Sequence, residues 1–298
     1  MGIEMEDKIL KKIDSFPVLP DTVAKVLEVT SNPESSAKDL MQAVLSDQSM
    51  CIAILKVANS ALFGQPKKVS SIERAIMILG FNEVQSIVLG RAVVGAFEDV
   101  KKEHKQVIES FWSHSFNCGL AAKTIAENMG LSAGDFFICG LIHDIGKLAM
   151  YLILEDEYDP ARWMEGFSSS ERLIDEKLFF DTDHTVVGSK LLRHWSFPES
   201  LLVAMEYHHD PFKVSRGKGF PLVIQLADFY AHLTRMDHLL EDQTLADLTA
   251  QHLPDIKAQW KNSKLPWVDL AMESWYAWLK IDQEHGSGII SIFAGEPG

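Results

Sequence analysis

Seven side chains in this sequence are of the types that could do chemistry together: His114, the adjacent pair His143 and Asp144, His184, the adjacent pair His208 and His209, and Asp228. All are imidazoles or carboxylates, and each lies in or at the end of a separate stretch of helical pattern. Helical bundles build metal sites this way, by projecting His and carboxylate groups inward from several facing helices. A nitrogen and carboxylate set without thiolate suits Fe, Mn, Zn, Co or Ni, fits Mg less well, and is a poor match for Ca. The doublets carry most weight. Neighbours on a helix point about 100° apart, so His143 and Asp144 cannot both lie against one apolar neighbour, but they can flank one ion or bridge two. Their setting, GLIHDIGKL, is otherwise hydrophobic, and burying an unpaired charge costs far more than a packed leucine would gain. His104, His194, His232, His238, His252 and His285 read as ordinary hydrogen-bonded core or surface histidines.

The elements that must position these groups are helices. Apolar residues recur three and four apart in DTVAKVLEVT, KDLMQAVLSDQSMCIAILKVAN and SIERAIMILGFNEVQSIVLGRAVVGAF, and few stretches alternate as strands would. Asp21, Ser35 or Ser36, and Ser70 or Ser71 stand where helix caps belong. Residues 1–100 form an N-terminal helical half with few catalytic candidates. The charged run EDVKKEHKQ then leads into residues 101–240, where the histidines gather. There SAGDFFICGLIHDIGKLAMYLIL reads as one helix capped near Ser132, and DPFKVSRGKGF as a loop. Residues 241–298 form a C-terminal extension. In it PWVDLAMESWYAWLK suggests a last amphipathic helix with Trp267, Leu270, Ser274 and Trp278 on one face, its tryptophans packed in the core.

Composition narrows the function. The chain has 298 residues, 47% of them hydrophobic, which is ample for a core. A formal charge of -14 argues against a nonspecific nucleic-acid binder, which needs a basic footprint. Cys51, Cys118 and Cys139 are scattered and form no CxxC pair, as reduced thiols of a cytoplasmic protein would be. The N-terminus MGIEMEDKIL is unlike a signal peptide, and no stretch approaches the roughly 18 apolar residues of a membrane span.

With its HD doublet in GLIHDIGKL, a first His in FWSHS and a late Asp in QLADFYA, the chain resembles the HD superfamily of metal-dependent phosphohydrolases. The resemblance is closest to the HDOD family and runs from about Phe16 to beyond Asp228. It is carried by FPVLPDTVAKVLEVTSNP, LSDQSMCIAILKVANSALFG and SSIERAIMILGFNEVQSIVLG, which are similar to the helical N-terminal half of that domain. HTVVGSKLLRHWSFPESLLVAMEYHHDP resembles the region where HD-GYP phosphodiesterases and many HDOD proteins place an isolated His and an HH pair. Two departures stand out. Ser110 replaces the acidic residue found four positions before the first His in three-metal members, and HHDPFKVSRGKGFP lacks the Asp of the HD-GYP loop.

The resemblance implies an all-α HDOD-type bundle with a metal site between helices, holding two divalent ions. His114, His143 and Asp228 would serve one ion, His184, His208 and His209 the other, and Asp144 would bridge them. Lys147, one turn beyond His143, would meet a substrate phosphate. Lys190, Arg193, Lys213, Arg216 and Lys218 could add a basic mouth. HDOD proteins are commonly described as having lost parts of the catalytic pattern and as acting in signalling, whereas this chain keeps every expected ligand. Two functions follow. One is a metal-dependent phosphohydrolase or phosphodiesterase acting on a phosphate-containing small molecule or nucleotide. The other is a non-catalytic regulatory module working through a signalling protein partner. An oxygen-using di-iron enzyme is a minor third.

Overall fold

The computed structural model describes residues 2–60, 67–97, 104–164, 170–214, 219–263, 265 and 269–286, and among these the chain is helical with no strand. The N-terminal part holds α1 (Gly2–Ile13), α2 (Asp21–Ser31), α3 (Ala37–Leu45), α4 (Gln48–Ala58), α5 (Ile72–Leu79) and α6 (Phe81–Gly95). Ser36 and Asp39 form a reciprocal capping box at α3, and Ser71 caps α5; such caps satisfy amides that have no partner within the helix. Next come α7 (Lys105–Asn128), α8 (Ala133–Ile142), α9 (Ile145–Leu154), α10 (Pro160–Trp163), α11 (Ser170–Phe180), α12 (His184–His194), α13 (Glu199–Tyr207) and α14 (Gly219–Arg235). The extension adds α15 (Leu245–His252), α16 (Ile256–Asn262) and α17 (Asp269–Gly286).

Helix α8 is apolar and buried from Phe136 to Ile142, with only Asp135 polar in its first turn, and is packed by α6, α7, α13 and α14; a helix without a polar face belongs in a core. Through α6 against α8, and α1 against α9 and α12, the N-terminal helices brace the histidine-bearing ones. Phe16, Phe97, Trp112 and Trp195 meet edge to face at that junction. The Trp195 indole N–H donates to the Pro17 carbonyl at 2.9 Å.

Four expectations need correction. The stretch read as one helix through GLIHDIGKL is two, interrupted at His143 and Asp144. The His143 ring explains it: its Nδ1–H donates to the Gly140 carbonyl at 2.7 Å, the acceptor that a continuous helix would offer to the Asp144 amide. Second, the run Ala133–Glu157 is long and apolar enough by composition to pass for a membrane span, yet 94% of its window is buried inside the protein. Third, α17 turns Met272, Trp275, Tyr276 and Leu279 inward and leaves Trp278 44% exposed; Trp267 and the Leu270 side chain lie outside the described residues. Ser132 does precede α8, but its hydroxyl accepts from the Asn82 amide instead of capping.

Candidate metal centre

Two glycine crossings set the donor helices at the required spacing. Where α7 passes α8, a Cβ on Gly140 would meet the Gly119 backbone at 2.7 Å, so only glycine lets the His114 helix lie this close to the His143 helix. Where α9 passes α12, a Cβ on Gly146 would overlap the His184 carbonyl oxygen. Close approach of a helix therefore accounts for Gly146. Both doublets stand at helix C-termini: His143 ends α8 and His208 ends α13. Each ring donates Nδ1–H to a carbonyl three residues back, Gly140 for His143 and Met205 for His208. Helix C-termini favour cations, because their carbonyls carry partial negative charge.

The seven predicted residues come together as two groups of four that share Asp144. His114, His143, Asp144 and Asp228 form the first, and Asp144, His184, His208 and His209 the second; in each, the donor atoms all lie within 4.8 Å of one another. In the first group, Asp228 Oδ1 is 3.0 Å from His114 Nε2 and 3.3 Å from His143 Nε2. In the second, Asp144 Oδ1 is 3.3 Å from His184 Nε2 and 3.6 Å from His208 Nε2, and His184 Nε2 is 3.0 Å from His209 Nε2. Asp144 Oδ2 faces the first group, 3.3 Å from His143 Nε2. Every member is buried.

Many of these atoms are close without being hydrogen-bonded. His114 Nδ1 and Nε2, His143 Nε2, Asp144 Oδ1, His208 Nε2 and Asp228 Oδ1 make no hydrogen bond of proper geometry. Buried polar groups are nearly always satisfied, and a cluster of exceptions calls for an ion or a catalytic role. Donors 3.0–3.6 Å apart are spaced as cis ligands of a common ion bonded at about 2.1 Å. The residues present therefore fit divalent metal.

Protonation is set by burial against neighbouring charge. Burial pushes His114 and His208 below the ordinary histidine value despite their carboxylate neighbours. It pushes His209 well down, helped by His208 and His184, and His232 well down, helped by His114. His143 moves the other way: burial opposes its charge, but Asp144, Cys118 and Asp228 together outweigh burial and hold it well above. Asp144 and Asp228 stay well below the usual carboxylate range; burial opposes this, and for Asp144 the His143 and Lys147 charges prevail, for Asp228 His232, His114 and His143.

Lys147 is not a solvated lysine. It is buried, with Nζ 2.6 Å from Asp144 Oδ2, both side chains being 3% exposed. The other basic candidates lie elsewhere: Lys190 donates to the Leu10 carbonyl, Arg193 meets Glu199 and Glu206, and Lys213 meets Asp210. Arg216 and Lys218 fall outside the described residues. Ser110 accepts a hydrogen bond from Arg235.

Two residues of the site were not anticipated. His232 belongs to it, its Nε2 being 3.3 Å from Asp228 Oδ1; the D-x3-H spacing, one helical turn, was the available signal. Glu176, fully buried, accepts from His184 Nδ1–H at 2.7 Å and from the His184 amide at 2.8 Å. A carboxylate behind a histidine fixes its ring and leaves Nε2 for an ion. A cavity of about 170 Å³ reaches Asp144, His114 and Lys147 past Ser110 and Arg235. A second, of about 280 Å³, reaches His208, His209 and Asp228 beneath Phe212, His252 and Gln259.

Comparison with known proteins bears on these features. The model of the HDOD domain matches residues 16–211 of the 298. The chain belongs to the HDOD domain family. Asp228, which completes the first group, lies beyond the matched stretch. This HDOD chain is 22% identical to the structure of a Shewanella amazonensis protein provisionally named a phosphohydrolase, covering 96% of this chain and 98% of that one with a TM-score of 0.71. It is 21% identical to a Geobacter sulfurreducens HDOD domain protein of unknown function, over 98% and 96% of the two chains, with a TM-score of 0.64. A Marinobacter aquaeolei protein provisionally named in signal transduction is 16% identical, over 98% of this chain and 66% of that one, with a TM-score of 0.71. At such identities the likeness carries the fold. An uncharacterised Treponema pallidum protein is 23% identical over 204 residues, 68% of this chain but only 39% of that protein's length.

Proposed function

We propose that this HDOD protein is a cytoplasmic signalling-family member whose site is a working metal-dependent phosphohydrolase, cleaving a phosphoester of a small molecule or nucleotide. The observation that carries the reading is Asp144, whose two oxygens face two complete donor groups. When bound, a pair of divalent ions supplies Lewis-acid polarisation of a phosphoryl oxygen and a lowered pKa for water. The residues supply the rest. Gly140, Met205 and Glu176 hold the Nδ1–H of His143, His208 and His184, so all three rings aim Nε2 at the centre. His143 holds a proton against Asp144 and Asp228 that an ion must displace, so loading releases protons. Lys147 and Arg235 stand along the smaller cavity, where an anionic phosphoester would meet positive charge.

The test is elemental analysis of the purified protein, followed by hydrolysis of bis(p-nitrophenyl) phosphate with Mn or Fe. Two ions per chain and activity lost in Asp144→Ala and His143→Ala support the reading. Bound metal with no turnover of any phosphoester sinks the enzyme, and metal-free protein under all loading conditions sinks the site. One observation favours the non-catalytic alternative, a module acting through a signalling partner: Lys147 already neutralises Asp144 from within the core. In that case a metal-free protein would bind its partner as well as a loaded one.

A further inference from the structure

The first donor group has a neighbour that the family pattern does not include. His232 lies one turn beyond Asp228 on α14, so both side chains leave the same helix face. Its Nε2 is 3.3 Å from Asp228 Oδ1, matching His143 Nε2 at 3.3 Å and close to His114 Nε2 at 3.0 Å. Three imidazole nitrogens thus converge on one carboxylate oxygen. The His232 ring lies 4.1 Å from that of His114 and is tilted 31° to it, and the side chain is 2% exposed. A single carboxylate oxygen offers about two lone-pair sites, so three imidazole nitrogens around Asp228 Oδ1 are more than hydrogen bonding to that atom can use. Separations of 3.0–3.3 Å are those between adjacent ligands of one ion with bonds near 2.1 Å.

We propose that His232 is a fifth protein ligand of the first ion, joining His114, His143, Asp144 and Asp228. The inference rests on the metal site described above. Three imidazoles and two carboxylates overfill the tetrahedral shell that structural zinc prefers, and leave one position of an octahedron for water or substrate. Such a shell selects iron, manganese, cobalt or nickel at this position over four-coordinate zinc.

The experiment compares metal content and chelator competition for the full-length protein, His232→Ala and His232→Gln, loaded with Co(II) alone. Glutamine keeps an N–H able to donate to Asp228 but replaces the imidazole. A ligand role predicts that both variants lose roughly 100-fold or more in affinity for one ion, keep the second ion, and change the visible Co(II) spectrum of the weakened site. Wild-type affinity and spectrum in His232→Gln would overturn the proposal and leave His232 as a hydrogen-bonding support for Asp228. Wild-type protein that binds no metal would instead defeat the underlying site. Should the variants fail to fold, the wild-type Co(II) protein decides by proton NMR. It should show a shifted, exchangeable imidazole N–H signal for each of His114, His143, His184, His208, His209 and His232, and absence of the last overturns the proposal.

Discussion

Replacing Lys147 with methionine removes a buried cation and leaves Asp144 as a buried carboxylate with one charge partner fewer. The pair is short, 2.6 Å, and both side chains are 3% exposed, so solvent cannot substitute for the ammonium. Breaking a buried pair by deleting one partner costs about 3–5 kcal/mol, which at about 2–4 °C per kcal/mol for a chain of this size lowers the melting temperature by roughly 6–20 °C. Metal alters that figure. An ion held by Asp144 replaces the missing positive charge, so the Mn-loaded variant should lose less than half of what the EDTA-treated variant loses. Asp144 sits well below the usual carboxylate range, so its contribution is present above about pH 3.9 and is lost as pH falls through the folded value. Lys147 is raised; burial opposes it, but Asp144, Asp228 and Glu176 prevail, and its contribution is present below about pH 10.4 and lost above the folded value. Melting at pH 7.5 with and without Mn therefore reads the full pair. A loss equal in both states would refute the claim that Asp144 faces metal, and a metal-free loss of under about 1 kcal/mol would refute the pair itself.

Other perturbations test the remaining supports. Glu176→Gln should weaken metal binding by about 10- to 100-fold, measured by chelator competition, because His184 loses the carboxylate that fixes its ring; unchanged affinity would mean the ring is held by packing. Gly146→Ala forces a methyl against the His184 carbonyl and should cost at least about 1–3 kcal/mol in thermal unfolding, with metal content falling as His184 moves away from Asp144. The metal-free protein should lose stability as pH drops below about 6.5, because His114, His208, His209 and His232 take protons more readily unfolded than folded. His143, raised in the fold, adds nothing to that slope, since it is protonated in both states there. A flat melting temperature from pH 6.5 to 5.5 would contradict the burial of these rings.

The helices were legible from local signals, and the clustering of the seven His and Asp side chains from their residue types together with the family resemblance. Period-3.6 apolar spacing announces a buried helix face, and His and Asp in apolar surroundings need partners wherever they lie. What was not legible depends on how helices end and meet. The break at His143 comes from a side chain claiming the Gly140 carbonyl, which no propensity encodes. Glu176 reaches His184 across a turn containing Asp181 at φ 61°, so its pairing depends on tertiary geometry. His232 looked like any histidine on a half-apolar helix until Asp228, one turn away, was seen to be shared. On α17 the error was one of phase: the tryptophans suggested a face, but burial against α7 chose Trp275 and left Trp278 outside.

Asp144, Asp228, Glu176 and Lys147 are all buried within the same few ångströms of structure, and their formal charges do not balance. Three carboxylates against the Lys147 ammonium and the protonated His143 leave the metal-free centre one charge negative, while two divalent ions, displacing the His143 proton, would turn it two charges positive. In an interior of low dielectric that reversal decides which molecules can approach. If the site works as proposed, the same centre repels phosphate before loading and attracts it afterwards, so metal would bind before the anion and metal supply would gate access of any phosphate substrate.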